Sequence, residues 1–354
     1  MDEIEDILGA PFDASRSAAP APAPAADATS RRDRVRGMLF GVALGDALGA
    51  PHEFRNQIPL EKYIGNVEFP LIVCRRFQGG RITGRLGQIT DDTEMMIALA
   101  RAIVVNGGYD RGAAAAAYLA WANSRCPFMG NNTRKLFVGV KTFVGYQRRW
   151  DGLRAEPQSK WSQSNGCLMR CAPLATLPAT EWGGAAALDC ALTNFHPVCV
   201  DAVRAYLCAA RELLAGASPA EATARAIATA TEAEVIAAIA TARDQEARDV
   251  NDDRKGWVVH ALYCAFLALN DAAPAFQDRI DRVIRLGGDT DTNGAIAGAL
   301  LGAACGEVAM RAETRTGPNL EVVLAVDPAA GGLPRPAKYA AMCLPDLADA
   351  LAAL

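Results

Sequence analysis

Gly37–Gly49 reads GMLFGVALGDALG, a stretch in which glycine returns at every fourth position. A second stretch, near the end of the chain, repeats this spacing at Gly294, Gly298 and Gly302. Residues four apart lie on the same face of an α-helix, and each glycine costs a helix about 1 kcal/mol relative to alanine. We therefore interpret both stripes as faces where helix backbones approach closely. Such packing would hold the groups at the helix ends in register.

Apolar and small residues recur at helical spacing through the chain from Arg31 onward, including these two stretches. The spacing predicts helices over 33–49, 92–106, 112–123, 185–193, 199–214, 219–229, 233–247, 256–269, 277–285, 292–304 and 338–353. Runs of β-branched residues with period two are scarce, and strands do not alternate with helices, which argues against a doubly wound sheet. The prediction is one all-α domain over 31–354.

Residues 1–30 have a different composition. Residues 13–30 are mostly Ala, Pro and Ser, a composition typical of flexible linkers. Residues 1–12 place Ile4, Ile7 and Leu8 on one helical face among four acidic side chains. The segment is either a frayed terminus or a docking peptide that folds on a basic groove of a partner protein.

Composition excludes several classes of protein. The net charge of -4 argues against a surface that tracks nucleic acid, and the ten cysteines include no C-x-x-C pair of a zinc ribbon or thioredoxin-like site. The acidic N-terminus lacks the pattern of a signal peptide, and the apolar stretch Trp257–Leu269 is too short to cross a bilayer. We expect a soluble cytoplasmic protein that binds neither nucleic acid nor membrane directly.

Two similar acidic clusters each open a predicted helix. They are Gly87-Gln-Ile-Thr-Asp-Asp-Thr-Glu94 and Gly287-Gly-Asp-Thr-Asp-Thr-Asn-Gly294. Helix capping explains one acidic or hydroxyl side chain at such a position, but each cluster offers at least two carboxylates and a hydroxyl. Crowded carboxylates repel each other unless a cation lies between them. The two clusters together predict a site for Mg²⁺, Mn²⁺ or Ca²⁺.

Two familiar motifs resemble the second cluster. Asp289-x-Asp291-x-Asn293 begins like an EF-hand loop, but Leu300 stands where that loop requires a bidentate glutamate. The EF-hand is therefore excluded. Asp289-x-Asp291 also resembles the nucleophile motif of haloacid-dehalogenase phosphatases, which should follow a buried strand early in an α/β domain. A phosphatase-like metallohydrolase is kept as a weaker alternative.

The motifs together resemble those of the ADP-ribosylglycohydrolase family. The resemblance rests on four motifs in family order: Gly37–Gly49 followed by Glu53, Thr90-Asp91-Asp92-Thr93, Ser164-Asn165-Gly166-x-x-Met169-Arg170, and Gly287–Thr292. It implies a compact orthogonal multi-helix bundle with two bound Mg²⁺ or Mn²⁺ ions. It also implies the metal ligands Thr90, Asp91, Asp92, Asp289, Asp291 and Thr292.

Further site residues follow from the same resemblance. Glu53 and Asp291 would be the catalytic residues, whereas Asp46 is expected to be structural. Ser164, Asn165, Gly166 and His196 would bind substrate, with backbone N–H groups of the Ser164 loop cradling a diphosphate; a simple turn is the alternative. A basic aromatic segment over 141–161, which includes Arg154 and Trp161, either lines the entrance for a phosphate-bearing ligand or is a solvated face.

The sequence departs from the family pattern in one segment. Relatives that act on ADP-ribosyl-arginine commonly carry an aspartate in a Pro-x-Asp-x-Gly-like segment after the third core helix. Here Phe128 or Met129 occupies that place, which argues against an arginine mechanism that relies on this aspartate.

The resemblance implies a metal-dependent hydrolase that removes ADP-ribose from a modified protein side chain, with arginine as a candidate acceptor. Its partner would be an ADP-ribosylated protein. One alternative is an immunity protein whose residues 1–12 bind a cognate ADP-ribosyltransferase, because some family members that protect against such toxins carry N-terminal extensions.

Overall fold

The computed structural model of the chain describes residues 28–63, 65–67, 72–77, 80–83, 86–124, 126–329 and 334–354. The predicted docking segment 1–12 and most of the predicted linker lie outside these residues. The first helix begins at Ala28, three residues before the predicted domain boundary.

Fifteen α-helices form from the described residues. In chain order they are α1 (Ala28–Gly49), α2 (Asp91–Asn106), α3 (Arg111–Ala122), α4 (Asn131–Phe137), α5 (Phe143–Arg154), α6 (Trp182–Ala191), α7 (Pro197–Leu214), α8 (Pro219–Thr229), α9 (Ala233–Arg243), α10 (Val258–Leu269), α11 (Phe276–Arg285), α12 (Thr290–Cys305), α13 (Glu307–Ala312), α14 (Thr316–Leu324) and α15 (Leu344–Ala352). The predicted all-α class is confirmed.

A single antiparallel hairpin is the sheet that the described residues contain. It pairs β1 (Ile72–Phe77) with β2 (Gly80–Thr83), and Ile72 lies opposite Thr83. The sequence analysis predicted no strand here, because the β-branched pairs Ile72-Val73 and Ile82-Thr83 are too short to give a period-two pattern. Two strands alone are marginally stable, so the hairpin is an excursion from the helical core.

Helix α1 packs antiparallel against α12 through the two glycine stripes. Gly37 faces Gly302, Gly41 faces Gly298, Gly45 faces Gly294, and Gly49 faces Thr290. A methyl group at Gly41 would overlap the carbonyl oxygen of Gly298. The predicted close approach of helix backbones is confirmed. Because the helices run in opposite directions, the end of α1 lies beside the start of α12.

Helix α10 lies in the middle of the core. All twelve of its residues are buried, as expected for a helix that is apolar on every side. It packs against α12, α9 and α11. The apolar stretch noticed in the sequence is therefore the central helix of the bundle.

Several predicted helix limits were wrong. The helix predicted over 338–353 begins at Leu344, with Pro345 in its first turn, where proline is tolerated because that N–H has no intrahelical partner. Four helices were missed: α4, α5, α13 and α14. Three of them have nine residues or fewer, and short helices depend on tertiary packing more than on their own sequence pattern.

The glycine stripes make a stability prediction. Gly41→Ala should lower the free energy of unfolding by about 3 kcal/mol, because overpacking a tight interface forces the backbones apart. Gly152→Ala is the matched control, since a methyl group there meets nothing within 4 Å on α5. The control should gain about 0.5–1 kcal/mol from helix propensity. Equal free energies for the two variants in urea denaturation would contradict the interpretation of the stripes.

Candidate metal centre and adjoining pocket

Three carboxylates meet where α1 ends and α12 begins. One oxygen each of Glu53, Asp289 and Asp291 lies within 4.8 Å of the other two. The segment after α1 is attached to the start of α12 by two backbone hydrogen bonds, from Phe54 N to Gly288 O at 2.7 Å and from Gly288 N to Arg55 O at 2.9 Å. The spacing of the three carboxylates suits a shared divalent cation.

Glycine is required at the start of this second cluster. Gly287 and Gly288 have φ values of +80° and +79°, which other residues rarely adopt. A Cβ at Gly287 would lie 2.7 Å from the Arg55 carbonyl oxygen. The turn that presents Asp289 therefore depends on both conformational freedom and close approach.

The first cluster is held in place by Asp46 of α1. Its buried carboxylate accepts four hydrogen bonds at the start of α2, from the backbone N–H and the hydroxyl groups of Thr90 and Thr93, at 2.6–3.2 Å. Burial raises the pKa of Asp46 to about 6, against the opposing effect of these hydrogen bonds. Asp46 thus caps a helix that is distant in sequence, in agreement with the structural role expected for it.

Asp91 and Asp92 face the same cluster from α2. Burial raises the pKa of both carboxyl groups well above the usual value; the charges of Glu53 and Asp46 raise the pKa of Asp91 further, and those of Asp46, Asp91 and Asp289 raise the pKa of Asp92 further. Burial, and then the charges of Glu53 and Asp289, act in the same way on the pKa of Asp291. The two acidic motifs, about 200 residues apart in sequence, therefore share one electrostatic environment.

The hydroxyl-bearing residues also reach the cluster. Thr292 hydrogen-bonds the Asp92 carboxylate, and the Thr90 hydroxyl donates to Asp46. Asp92 Oδ1 is buried and has no protein hydrogen-bond partner. A buried carboxylate oxygen without a donor is costly unless a cation or water satisfies it.

The Ser164-Asn165-Gly166 loop lies against the second cluster. The Asn165 side-chain amide donates to Asp289 Oδ2 at 2.8 Å, and the Asn165 backbone N–H donates to Gly256 O at 2.9 Å. The Ser164 N–H faces Ser162 Oγ at 3.3 Å. Two of the N–H groups expected to cradle a diphosphate thus have protein partners.

A buried ion pair fixes this loop from below. Arg170 is fully buried and its guanidinium lies 3.1 Å from Asp189. The same guanidinium donates to Gly166 O at 3.0 Å and to the Thr193 hydroxyl at 2.9 Å. Arg170, the last residue of the sequence motif, therefore holds the loop in place.

His196 lies immediately before α7 and next to Gln163. Its Nδ1 accepts from Val198 N, capping α7, and its Nε2 lies 3.2 Å from the Gln163 amide nitrogen. Burial lowers the pKa of His196, which favours a neutral ring. To reach Nε2 of His196, a ligand would have to displace the Gln163 side chain or enter beside it.

A pocket of about 890 Å³ opens beside the acidic cluster. Its lining includes Phe54, Trp161, Gln163, Ser164, Glu234, Asn251, Asp252, Asp253, Arg254, Lys255, Gly256 and Trp257. Gly256 joins it to the cluster, because a Cβ there would lie 3.2 Å from Asp289 Oδ2. Arg254 stacks over Trp257, and Arg154 stacks over Trp161. Of the basic aromatic segment, Trp161 is the member that lines the pocket.

The segment that departs from the family pattern also touches the cluster. Phe128 and Met129 are both buried, and Gly130 N donates to Asp91 Oδ2 at 3.2 Å. This segment contacts the site through the backbone N–H of Gly130.

Sequence reasoning missed one buried support. Arg335, from the segment before α15, pairs with Glu94 of α2 at 2.7 Å, and the Trp121 indole also donates to Glu94 at 2.8 Å. Glu94, directly before the apolar run of the helix, was the available signal, but its partners lie 27 and 241 residues away. The pair fixes the first turn of α2, which carries Asp91.

The comparison with known families agrees with this geometry. A family model described as ADP-ribosylglycohydrolase matches residues 27–325. The chain belongs to the ADP-ribosylglycohydrolase family. The match includes both acidic clusters, the Ser164 loop and the two glycine stripes.

Other members of the ADP-ribosylglycohydrolase family are similar over most of their length. The ADP-ribosyl-[dinitrogen reductase] glycohydrolase of Rhodospirillum rubrum is 29% identical over 283 residues, which are 78% of this chain and 87% of that protein. The ADP-ribosylarginine hydrolase Tri1 of Pseudomonas putida (strain GB-1) is 27% identical over 296 residues, which are 79% of this chain and 73% of that protein.

A solved structure shows the same fold. The ADP-ribosylglycohydrolase-related protein complex superposes with a TM-score of 0.67 at 22% identity, covering 92% of this chain and 99% of the other.

Among the described residues, no helix combines the length and the apolar character that a membrane span requires.

The Asp46 cap yields a second prediction. Asp46→Ala should cost about 3 kcal/mol or more of unfolding free energy, because it leaves several buried donors without an acceptor. The control is Asp110→Ala, which removes an exposed cap whose carboxylate accepts from Ala113 N at the start of α3, and should cost about 1 kcal/mol. Thermal and urea denaturation would measure both; a loss at position 46 no larger than at 110 would refute the capping role.

Proposed function

We propose that this protein hydrolyses the glycosidic bond between ADP-ribose and a modified protein side chain. Family membership gives the reaction class, and the relatives from R. rubrum and P. putida are named for removal of ADP-ribose. The observation that carries the proposal is the meeting of Glu53, Asp289 and Asp291 within 4.8 Å at the edge of a pocket of about 890 Å³.

We propose that the donor set holds two Mg²⁺ or Mn²⁺ ions, the number that the family resemblance implies. Hard oxygen ligands are what these cations prefer, and the unpartnered Asp92 Oδ1 is a buried oxygen that a cation would satisfy. The proposed ligands are those predicted from the sequence: Thr90, Asp91, Asp92, Asp289, Asp291 and Thr292. Glu53 is added as a ligand that the geometry supports. Bound divalent cations supply Lewis-acid activation of water and orientation of ribose hydroxyls.

The chain itself handles the proton and the sugar. Water forms a new C1″–O bond as the bond from C1″ to the side chain breaks, through a transition state of oxocarbenium character. Glu53, partly exposed between the cluster and the pocket residue Phe54, accepts the proton from water and returns it to the leaving group. Asp291 is deeply buried beside it and supports the negative environment that a cationic sugar favours.

The pocket accommodates the rest of the ligand. Sites for small molecules have volumes of roughly 300–1,000 Å³, a range that includes this pocket. The Trp161 and Trp257 rings line the pocket, and each carries an arginine stacked on one face. Lys255 and Arg254 supply positive charge for phosphates, although Arg254 also pairs with the neighbouring Asp252. Ser164, Asn165, Gly166 and His196 remain the proposed substrate-binding residues, with Asn165 and His196 bonded to neighbours as described above.

Asp291→Ala tests the proposal. It should reduce release of ADP-ribose from a modified protein by at least about a thousandfold, because it removes a carboxylate from the reacting centre. The exposed Asp151 of α5 provides the control, and Asp151→Ala should release ADP-ribose at the normal rate. Circular dichroism would confirm that both variants fold. Undiminished release by Asp291→Ala would remove the metal-based mechanism.

Arginine is the acceptor that we propose, because the P. putida relative is named for it. Incubation with arginine-, serine- and nucleic-acid-linked ADP-ribose in Mg²⁺ or Mn²⁺ should release ADP-ribose fastest from the arginine-linked substrate. Faster release from another linkage would instead fit the apolar Phe128 and Met129 wall. Release of inorganic phosphate without ADP-ribose would favour the phosphatase-like alternative.

Binding of an ADP-ribosyltransferase by residues 1–12 stays a prediction from the sequence. The segment lies outside the described residues, and deletion of residues 1–30 followed by a binding assay with the transferase would test it.

A further inference from the structure

Asn165 contacts the acidic cluster through its side chain and the neighbouring loops through its backbone. Its side-chain amide donates to Asp289 Oδ2 at 2.8 Å, and the residue is only 6% exposed. The bond joins the loop to a proposed metal ligand 124 residues away. Asn165 is therefore placed to act on the proposed metal-binding residue Asp289, and not only on substrate.

The backbone of Asn165 is fixed on both sides. Its N–H donates to Gly256 O at 2.9 Å, and its carbonyl accepts from Leu168 N at 2.8 Å and Met169 N at 3.1 Å. An isolated bridge pairs Ser164 with Trp257. Little freedom is left for the Asn165 side chain to follow a displaced carboxylate.

The loop around Asn165 is fixed in turn by buried groups. Arg170 holds Gly166 and Thr193, and Asp189 neutralises Arg170. Asn194 donates to Ser164 O at 3.0 Å from the other side. A chain of hydrogen bonds therefore runs from the Arg170–Asp189 pair through the loop to Asp289.

We propose that Asn165 is a positioning residue for metal binding, which fixes the orientation of the Asp289 carboxylate through the hydrogen bond to its Oδ2. The inference rests on the proposed metal-dependent function. Partners that orient metal ligands typically contribute about 10–100-fold to metal affinity. Because Gly256 and Ser164 also line the pocket, the same loop joins the substrate site to the metal site.

The experiment measures Mn²⁺ binding to the purified full-length protein, stripped of metal, by calorimetry and by electron paramagnetic resonance of free Mn²⁺. Asn165→Ala should weaken Mn²⁺ binding by about 10–100-fold. Asn165→Leu fills the same space without a donor and should show the same loss. If Asn165→Ala does not stay folded when its metal is removed with a chelator, the Asn165→Leu variant supplies the affinity measurement.

Asn319→Ala is the matched control. Asn319 is 7% exposed, donates to Gln277 Oε1 at 2.9 Å and accepts from Val67 N at 3.2 Å. Its loss should destabilise the fold by a similar amount and leave Mn²⁺ affinity within about twofold of the parent, since Gln277 and Val67 do not belong to the acidic cluster.

The outcomes separate the two proposals. Wild-type protein that binds no Mn²⁺ would overturn the proposed metal-dependent function. Wild-type protein that binds Mn²⁺, together with position-165 variants of unchanged affinity, would overturn only the role of Asn165. An equal loss of affinity in Asn319→Ala would assign the effect to general destabilisation and also overturn it.

Discussion

The contact between the backbones of α1 and α12 is the constraint on which the site depends. Four glycines on α1 lie against three glycines and Thr290 on α12, so that peptide groups touch without intervening side chains. The closeness fixes the axial register of the two helices, because a shift would bring larger residues into the contact. Glu53 follows one helix and Asp289 precedes the other, so this register determines whether their carboxylates meet.

Bringing this many carboxylates together costs free energy. Burial and mutual repulsion raise the pKa values of Asp91, Asp92 and Asp291, which shows that the isolated protein disfavours their charged forms. Rigid supports oppose this cost, among them Asp46 at the start of α2 and the Arg335–Glu94 pair in the first turn of that helix. Strain of this kind is typical of functional sites, and a bound cation would relieve it.

The pocket and the acidic cluster share a wall and a set of hydrogen bonds. Gly256 lies between the pocket and Asp289. Asn165 donates hydrogen bonds to Gly256 and to Asp289. The loop that carries Asn165 is held by the fully buried Arg170. The proposed substrate-binding residues and the proposed metal ligands are therefore connected through residues that are themselves well fixed.

The sequence by itself determined the helical class, the glycine stripes and the two acidic motifs, because helical periodicity and local clusters are visible within a few residues. It left out the hairpin, four helices and the Arg335–Glu94 pair, and it assigned the Asn165 loop to substrate alone. Only the tertiary structure decided that Asn165 bonds Asp289 and that Asp46 caps α2. Those contacts join residues 44–124 positions apart, and a separation of that size has no periodicity from which a partner can be read.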